Sequence, residues 1–386
     1  MKEINYNLPS LLLNITDGVI DLGWGHPSAE LHPLEEIRIA TEKMFARGDA
    51  IPLQYGASQG YGPFLNSLAG FLSSQSAYPM EVYPNNLFLT AGASQGIDLI
   101  CTLLAADGDT IIVEDPTYFV IEGIFRSHRL GVVGIPTDAD GMIVDDLEEK
   151  LLKGLRPKFV YLIPAFQNPT GKTMTIQRRA SLARLAVEYD FYVVADEVYQ
   201  FLYFKDPPPP PMMHFDHQSK MISVGSFSKI LAPGLRVGWI HASENVIQKF
   251  SDAALAFSGG GFNHFGSAII REFIDMGFLV KNLANLRKTY ADRASVMTEA
   301  LEAIFGDSIQ YEEPTGGYYM WIKVNETMNT EALLSKSEGF GVSYRPGNAF
   351  SGTGRFGNFL RLSFSLYDSD HLVEGVHRLS KSYGNG

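Results

Sequence analysis

Ser223-Val224-Gly225-Ser226-Phe227-Ser228-Lys229-Ile230-Leu231-Ala232-Pro233-Gly234-Leu235-Arg236-Val237-Gly238-Trp239 is the stretch on which the reading of this chain turns. It leaves an apolar strand expected over Met221 to Val224, turns through small and hydroxylated residues, presents one lysine, and re-enters an apolar strand just after an arginine. An amine flanked by apolar side chains is poorly solvated, so its pKa falls and its neutral form becomes a nucleophile able to form a Schiff base. Ser226, Ser228 and Arg236 supply hydroxyl donors and a forked cation, the partners a phosphate needs.

One lysine beside one phosphate cradle suggests pyridoxal 5'-phosphate (PLP), whose aldehyde reacts with an amine while its phosphate is held at a fixed distance. The plain alternative is a surface lysine and a structural arginine next to a strand.

The composition sets outer bounds. A chain of 386 residues with 45% hydrophobic and 19% charged content is long enough for two domains and can bury a large core. A net charge of -12 disfavours nucleic acid as a partner, because phosphate backbones need clustered Lys and Arg. Cys101 is the only cysteine, which excludes an intramolecular disulfide and a Cys-rich metal site. It lies in an apolar helical run and reads as a buried small hydrophobe. No run reaches transmembrane length and Met1 to Asp17 has no signal-peptide pattern, so a reducing cytoplasmic location without membrane contact is expected.

From Asn86 onward, strands and helices alternate. Strands are expected over 87–90, 110–114, 132–135, 159–163 and 192–195, with helices over 94–105, 118–128, 145–152 and 175–189 between them. This rhythm predicts an α/β fold: a large domain with a mostly parallel seven-stranded sheet sandwiched by helices, followed by a smaller α+β domain. The divisions expected are 1–48 for an N-terminal segment and part of the small domain, 49–275 for the large domain and 276–386 for the C-terminal small domain. Pro207 to Pro211 reads as an extended surface excursion. Ligands on such sheets gather beyond the carboxyl ends of the strands, and the remaining candidates fall there.

Asn168-Pro169-Thr170-Gly171 forces a turn that aims the Asn168 amide into the cleft. Ala195-Asp196-Glu197-Val198-Tyr199 ends an apolar strand with a carboxylate that is costly to bury without a cation, such as a protonated pyridine nitrogen. Ala93 and Ser94 open a helix after a strand and a glycine, where amide N–H groups can meet an anion, although a simple N-cap serine explains the same residues. Tyr118 follows the next strand, and a core tyrosine is its bland reading. Leu360-Arg361-Leu362-Ser363-Phe364 alternates, so Arg361 stands on one face and its fork suits a carboxylate. Gly25 sits in a turn that punctuation alone would also explain, and Tyr55 in a glycine-rich stretch where a buried loop tyrosine is the bland reading.

Taken in this order, Tyr-Gly turn, Ala93-Ser94, Tyr118, Asn-Pro-Thr-Gly, Asp-x-x-Tyr, Ser-x-Ser-Lys and the late arginine, the chain resembles the fold-type I PLP-dependent aminotransferases of the aspartate aminotransferase superfamily. Phe166-Gln167-Asn168 and Ser226-Phe227-Ser228-Lys229 look most like the 2-aminoadipate and kynurenine aminotransferase branch.

The resemblance implies Lys229 as the Schiff-base lysine, Asp196 on the ring nitrogen, and Asn168 and Tyr199 on the phenolic oxygen. It implies Tyr118 stacked on the ring, Ala93, Ser94, Ser226, Ser228 and Arg236 on the phosphate, and Arg361 with the backbone at Gly25 on the substrate carboxylate. It also implies a homodimer with shared active sites, in which Tyr55 reaches the neighbouring subunit's phosphate. The expected reaction moves an amino group between an L-amino acid and a 2-oxo acid. A PLP lyase, decarboxylase or cyclase on the same scaffold is the first alternative. A ligand-sensing regulator with an aminotransferase-like domain is the second.

Overall fold

The computed structural model describes residues 11–384, so the first ten residues of the expected N-terminal segment lie outside the described part. Its centre is an eight-stranded sheet in the order Leu87–Thr90, Gly238–Ala242, Met221–Ser226, Tyr192–Asp196, Phe159–Leu162, Thr110–Asp115, Gly131–Asp138 and Gly141–Met142. The five strands from Met221–Ser226 to Gly131–Asp138 are parallel neighbours. Gly238–Ala242 runs antiparallel to both of its neighbours.

Seven strands are expected from the sequence and eight are present. The extra one is the two-residue Gly141–Met142, which doubles back antiparallel on the end of Gly131–Asp138. A pair of residues is too short to carry a periodic signal.

Both faces of the sheet are covered, so its strands alternate between two buried clusters. Ile112, Val160, Leu162, Val193, Ala195 and Met221 pack on one side. Ile111, Val113, Phe159, Val194, Ile222 and Val224 pack on the other. That two-sided burial explains why the strands read as nearly continuous apolar runs.

The expected helices form with small shifts at their ends, among them Ala93–Leu104, Val144–Leu152 and Ile176–Glu188. The largest shift is at Tyr118, which precedes its helix, Ile121–Ser127, instead of starting it. The proline run also departs from expectation. It begins exposed at Pro207 but is buried by Pro211, and the carbonyls of Pro209 and Pro210 accept hydrogen bonds from Gln200 and the buried Arg179. Prolines lack an N–H yet keep a carbonyl, so the segment satisfies buried donors that a helix could not reach.

A second, antiparallel sheet joins Tyr319–Lys323, Phe359–Ser363 and Arg345–Pro346 in that order. Ile20–Asp21 pairs with Val342–Ser343, tying the N-terminal segment to this C-terminal region. The 28-residue helix Phe278–Phe305 runs between the two sheets in sequence. Among the described residues no helix is long and apolar enough to cross a membrane. Cys101 is free and buried, and burial pushes its thiol up to about 12.

Candidate active site

Adjacent parallel strands end side by side, so the loops that follow them converge. Phe159–Leu162 leads to the Asn168 turn, Tyr192–Asp196 ends on Asp196, and Met221–Ser226 leads to Ser228 and Lys229. From the second sheet, Arg361 reaches across and donates to Asn168 Oδ1 at 2.6 Å and to the carbonyl of Gly23 at 2.5 Å. Arg361 and Asn168 are both buried.

Lys229 Nζ donates to the carbonyl of Gly25 at 2.9 Å and lies 5.3 Å from the Tyr318 ring centre. Burial lowers its pKa and the nearby Arg361 adds to that, while Tyr319 and Asp196 oppose it. The outcome is an amine with a larger neutral fraction than a surface lysine has, as a nucleophile requires. Gly25 has no room for a side chain, because a Cβ there would stand 1.9 Å from Tyr319 Oη.

Asp196 is buried, and burial raises its pKa to about 6 against the opposing hydrogen bond that Tyr161 donates to Oδ2 at 2.9 Å. Its other oxygen, Oδ1, is buried without a partner among the described residues. An unmatched buried carboxylate oxygen is expensive unless a cation or donor meets it, which suits a protonated ring nitrogen.

The residues expected to cradle a phosphate gather around Arg236, which adopts a left-handed φ of 51°. Its guanidinium donates to Ser228 Oγ at 3.4 Å and to the Ala91 carbonyl at 3.2 Å. Ser226 Oγ donates to Ser228 Oγ at 3.0 Å and accepts from the Ser228 N–H. Gly92, at φ 90°, precedes the helix Ala93–Leu104, and a Cβ there would fall 2.6 Å from Arg236. Ala93 and Ser94 therefore open a helix whose free N–H groups border a guanidinium and two hydroxyls, a setting for a dianion.

Tyr199 is buried, and its hydroxyl is 3.2 Å from that of Tyr319. Tyr118 is half-buried, and burial, Tyr319 and Asp196 together push its hydroxyl up to about 12. Lys229, Asp196, Asn168, Tyr199, Tyr118, Arg361 and the Gly25 backbone are thus brought together, with Ser226, Ser228 and Arg236 adjoining. Tyr55 is not brought in. It is 87% exposed, on a loop packed against the Gly260 turn, where a Cβ on Gly260 would meet Tyr55 Cβ at 3.0 Å.

Several site residues escape the motif reading. Tyr318 Oη donates to the Lys229 carbonyl at 3.1 Å, and Tyr319 packs its ring 4.2 Å from the Arg361 guanidinium. Adjacent tyrosines in a strand face opposite ways, so Tyr318-Tyr319 signals two buried hydroxyls in need of partners. Gln167 donates to Pro116 O at 2.8 Å and to Glu114, and accepts from Thr170, which fixes the Asn168 turn. Burial lifts the Glu114 carboxyl to about 8. His26 is held near 4 by burial, Lys229 and Arg361, and so is neutral at pH 7.

Comparison with known proteins identifies the family. The family model described as aminotransferase class I and II matches residues 17–379. The aromatic-amino-acid aminotransferase 1 of Thermococcus litoralis is 35% identical over 95% of this chain and 88% of its own length. The crystal structure of Pyrococcus horikoshii kynurenine aminotransferase in complex with PMP is similar with a TM-score of 0.89 and 34% identity, covering 96% of this chain and 91% of that one. LysN, the α-aminoadipate aminotransferase of Thermus thermophilus complexed with N-(5'-phosphopyridoxyl)-L-leucine, gives a TM-score of 0.85 at 30% identity over 96% and 93% of the two chains. With a family match across nearly its whole length and relatives of this kind, the chain belongs to the class I and II aminotransferases and is a transferase of amino groups.

Proposed function

We propose that the enzyme holds PLP on Lys229 and exchanges an amino group between an L-amino acid and a 2-oxo acid. The observation that carries this reading is the unmatched buried Oδ1 of Asp196 beside a desolvated lysine amine. PLP, when bound, supplies the electron sink for bond breaking at the amino acid's α-carbon.

The protein's own residues do the rest. Lys229 Nζ would hold the cofactor and then take and return the proton at the substrate's α-carbon. Its hydrogen bond to the Gly25 carbonyl holds the amine at the cleft wall. Asp196 would hold the ring nitrogen in its protonated form, and Tyr161 favours ionised Asp196 by donating to it. Asn168 and Tyr199 would hold the phenolic oxygen and Tyr118 the face of the ring. Ser226, Ser228, Arg236 and the N–H groups at Ala93 and Ser94 take the phosphate. Arg361, anchored on Asn168 Oδ1 and the Gly23 carbonyl, takes the substrate α-carboxylate with its remaining N–H groups and orients the Cα–H bond for proton removal.

The same reading makes the enzyme a homodimer in which Tyr55 enters the partner's site. Support comes from exposed apolar side chains on neighbouring segments, Leu53 and Tyr55 on one and Leu255 and Phe257 on the other, an uncommon surface for a monomer. The division at residues 48 and 275 draws support from the pairing of Ile20–Asp21 with Val342–Ser343. The free, buried Cys101 fits a reducing cytoplasm.

The half-reaction tests this function. Incubating PLP-loaded protein with an amino donor alone is expected to leave the pyridoxamine form and release one equivalent of 2-oxo acid. Release of another fragment without conversion of the cofactor would contradict it.

A further inference from the structure

A second arginine stands beside the first. Arg345 and Arg361 are direct partners across the antiparallel strands Arg345–Pro346 and Phe359–Ser363, so both side chains rise from the same face of the sheet. Like charges placed directly opposite each other destabilise a strand pair. Arg361 has polar partners in Asn168 and Gly23. Arg345 is half-buried and, among the described residues, forms no ion pair. Asp21 carries the nearby negative charge, but its Oδ1 accepts the Gly23 N–H at 2.8 Å.

The surroundings of Arg345 lead back to the reacting amine. Its stem lies along Gly23, where a Cβ would meet Arg345 Cγ at 3.1 Å, and its guanidinium carbon is 5.0 Å from the Trp24 ring centre. Trp24 meets His26 edge-on at 5.0 Å, and His26 feels the charges of both Lys229 and Arg361. Trp24 Nε1 and His26 Nδ1 are each buried without a hydrogen-bond partner among the described residues. One wall therefore runs outward from Lys229 through His26 and Trp24 to a guanidinium, presenting nitrogens, with the Asp21 carboxylate beside its far end.

We propose that Arg345, with Trp24 beneath it, is the specificity-determining residue that receives the side-chain carboxylate of an acidic amino-acid substrate. This rests on the aminotransferase reading of the site, in which Arg361 takes the α-carboxylate. A dicarboxylic amino acid with two or three methylenes in its side chain has one anionic end for each arginine. Its second charge offsets the repulsion between Arg345 and Arg361. The methylenes lie along the Trp24 and His26 wall, where the unpartnered indole N–H of Trp24 is a further donor.

The test compares kcat/KM for L-glutamate, L-2-aminoadipate and L-phenylalanine in the PLP-loaded wild type, Arg345→Gln and Arg345→Lys. The ratio of acidic to aromatic kcat/KM is expected to fall roughly 10- to 100-fold in Arg345→Gln, the scale of one lost charge-assisted hydrogen bond. Arg345→Lys is expected to recover part of that ratio. The phenylalanine reaction reports in the same preparation that the site has formed. An unchanged ratio overturns the proposal, whether both donors decline together, as for a residue that merely positions the Gly23 turn, or neither moves. A wild type that converts phenylalanine but neither acidic donor also overturns it, while leaving the aminotransferase reading standing. A wild type whose Lys229 takes up no PLP would overturn the parent reading instead.

Discussion

Arg361 and Asn168, 193 positions apart in the chain, meet through a 2.6 Å hydrogen bond from guanidinium to side-chain carbonyl. The bond joins the end of the parallel sheet to the face of the antiparallel one, so the residue proposed for the substrate and one proposed for the cofactor share one geometry. A fork is needed for this, since one nitrogen goes to Asn168 and another to Gly23. Arg361→Lys keeps the charge and loses the fork. It is expected to lower kcat/KM for every amino donor by roughly 10- to 100-fold, chiefly through KM. Steady-state kinetics over a donor panel checks this, and wild-type KM values would contradict it.

Tyr161→Phe removes the hydrogen bond that opposes burial at Asp196, so the carboxyl pKa rises beyond about 6. Only ionised Asp196 can pair with a protonated ring nitrogen, and PLP affinity should therefore fall as the pH drops through that pKa. The acid limb of affinity against pH is expected to move upward by up to about one unit in the variant. Absorbance titrations with PLP at several pH values measure it. Superimposed limbs would contradict the role given to Tyr161.

Glu114 is an acid whose pKa is raised on folding, from 4.5 to about 8, so the folded chain binds its proton more tightly than the unfolded chain. That contribution to stability is full below about 4.5 and is lost as the pH rises through about 8. Glu197, raised to about 7, and Asp196, raised to about 6, act in the same direction. The Tm of cofactor-free protein should accordingly decline from pH 5 to pH 8. In Glu114→Gln, whose amide replaces the protonated carboxyl without titrating, the decline should be shallower, most visibly above pH 7. Thermal unfolding followed by circular dichroism decides between parallel and diverging curves.

Much of this site is legible in the linear chain because its parts follow strands whose ends the sheet aligns. Once Asp196, Asn168 and Lys229 are assigned to strand ends, two-sided burial of the sheet brings them together without further information. Arg361 is legible as a face of an alternating strand, but its partners are not, because they depend on how the second sheet docks. Tyr161 and Tyr319 look like core residues in sequence, and only register and packing show that one donates to Asp196 and the other blocks a side chain at Gly25. The pairing of Arg345 with Arg361 is hidden for the same reason, since it depends on the register of a two-residue strand. The buried end of the proline run, at Pro211, is invisible because proline composition does not tell where its carbonyls point.

The central claim is that the amine of Lys229, half-buried and bonded to the Gly25 carbonyl, carries the cofactor. Reducing PLP-treated protein with borohydride and mapping the peptides by mass spectrometry tests it most directly. A single pyridoxyl adduct on Lys229, absent from a Lys229→Ala protein that retains its fold and has lost turnover, is the expected result. An unmodified Lys229, or a stoichiometric adduct on a different lysine, would contradict the account.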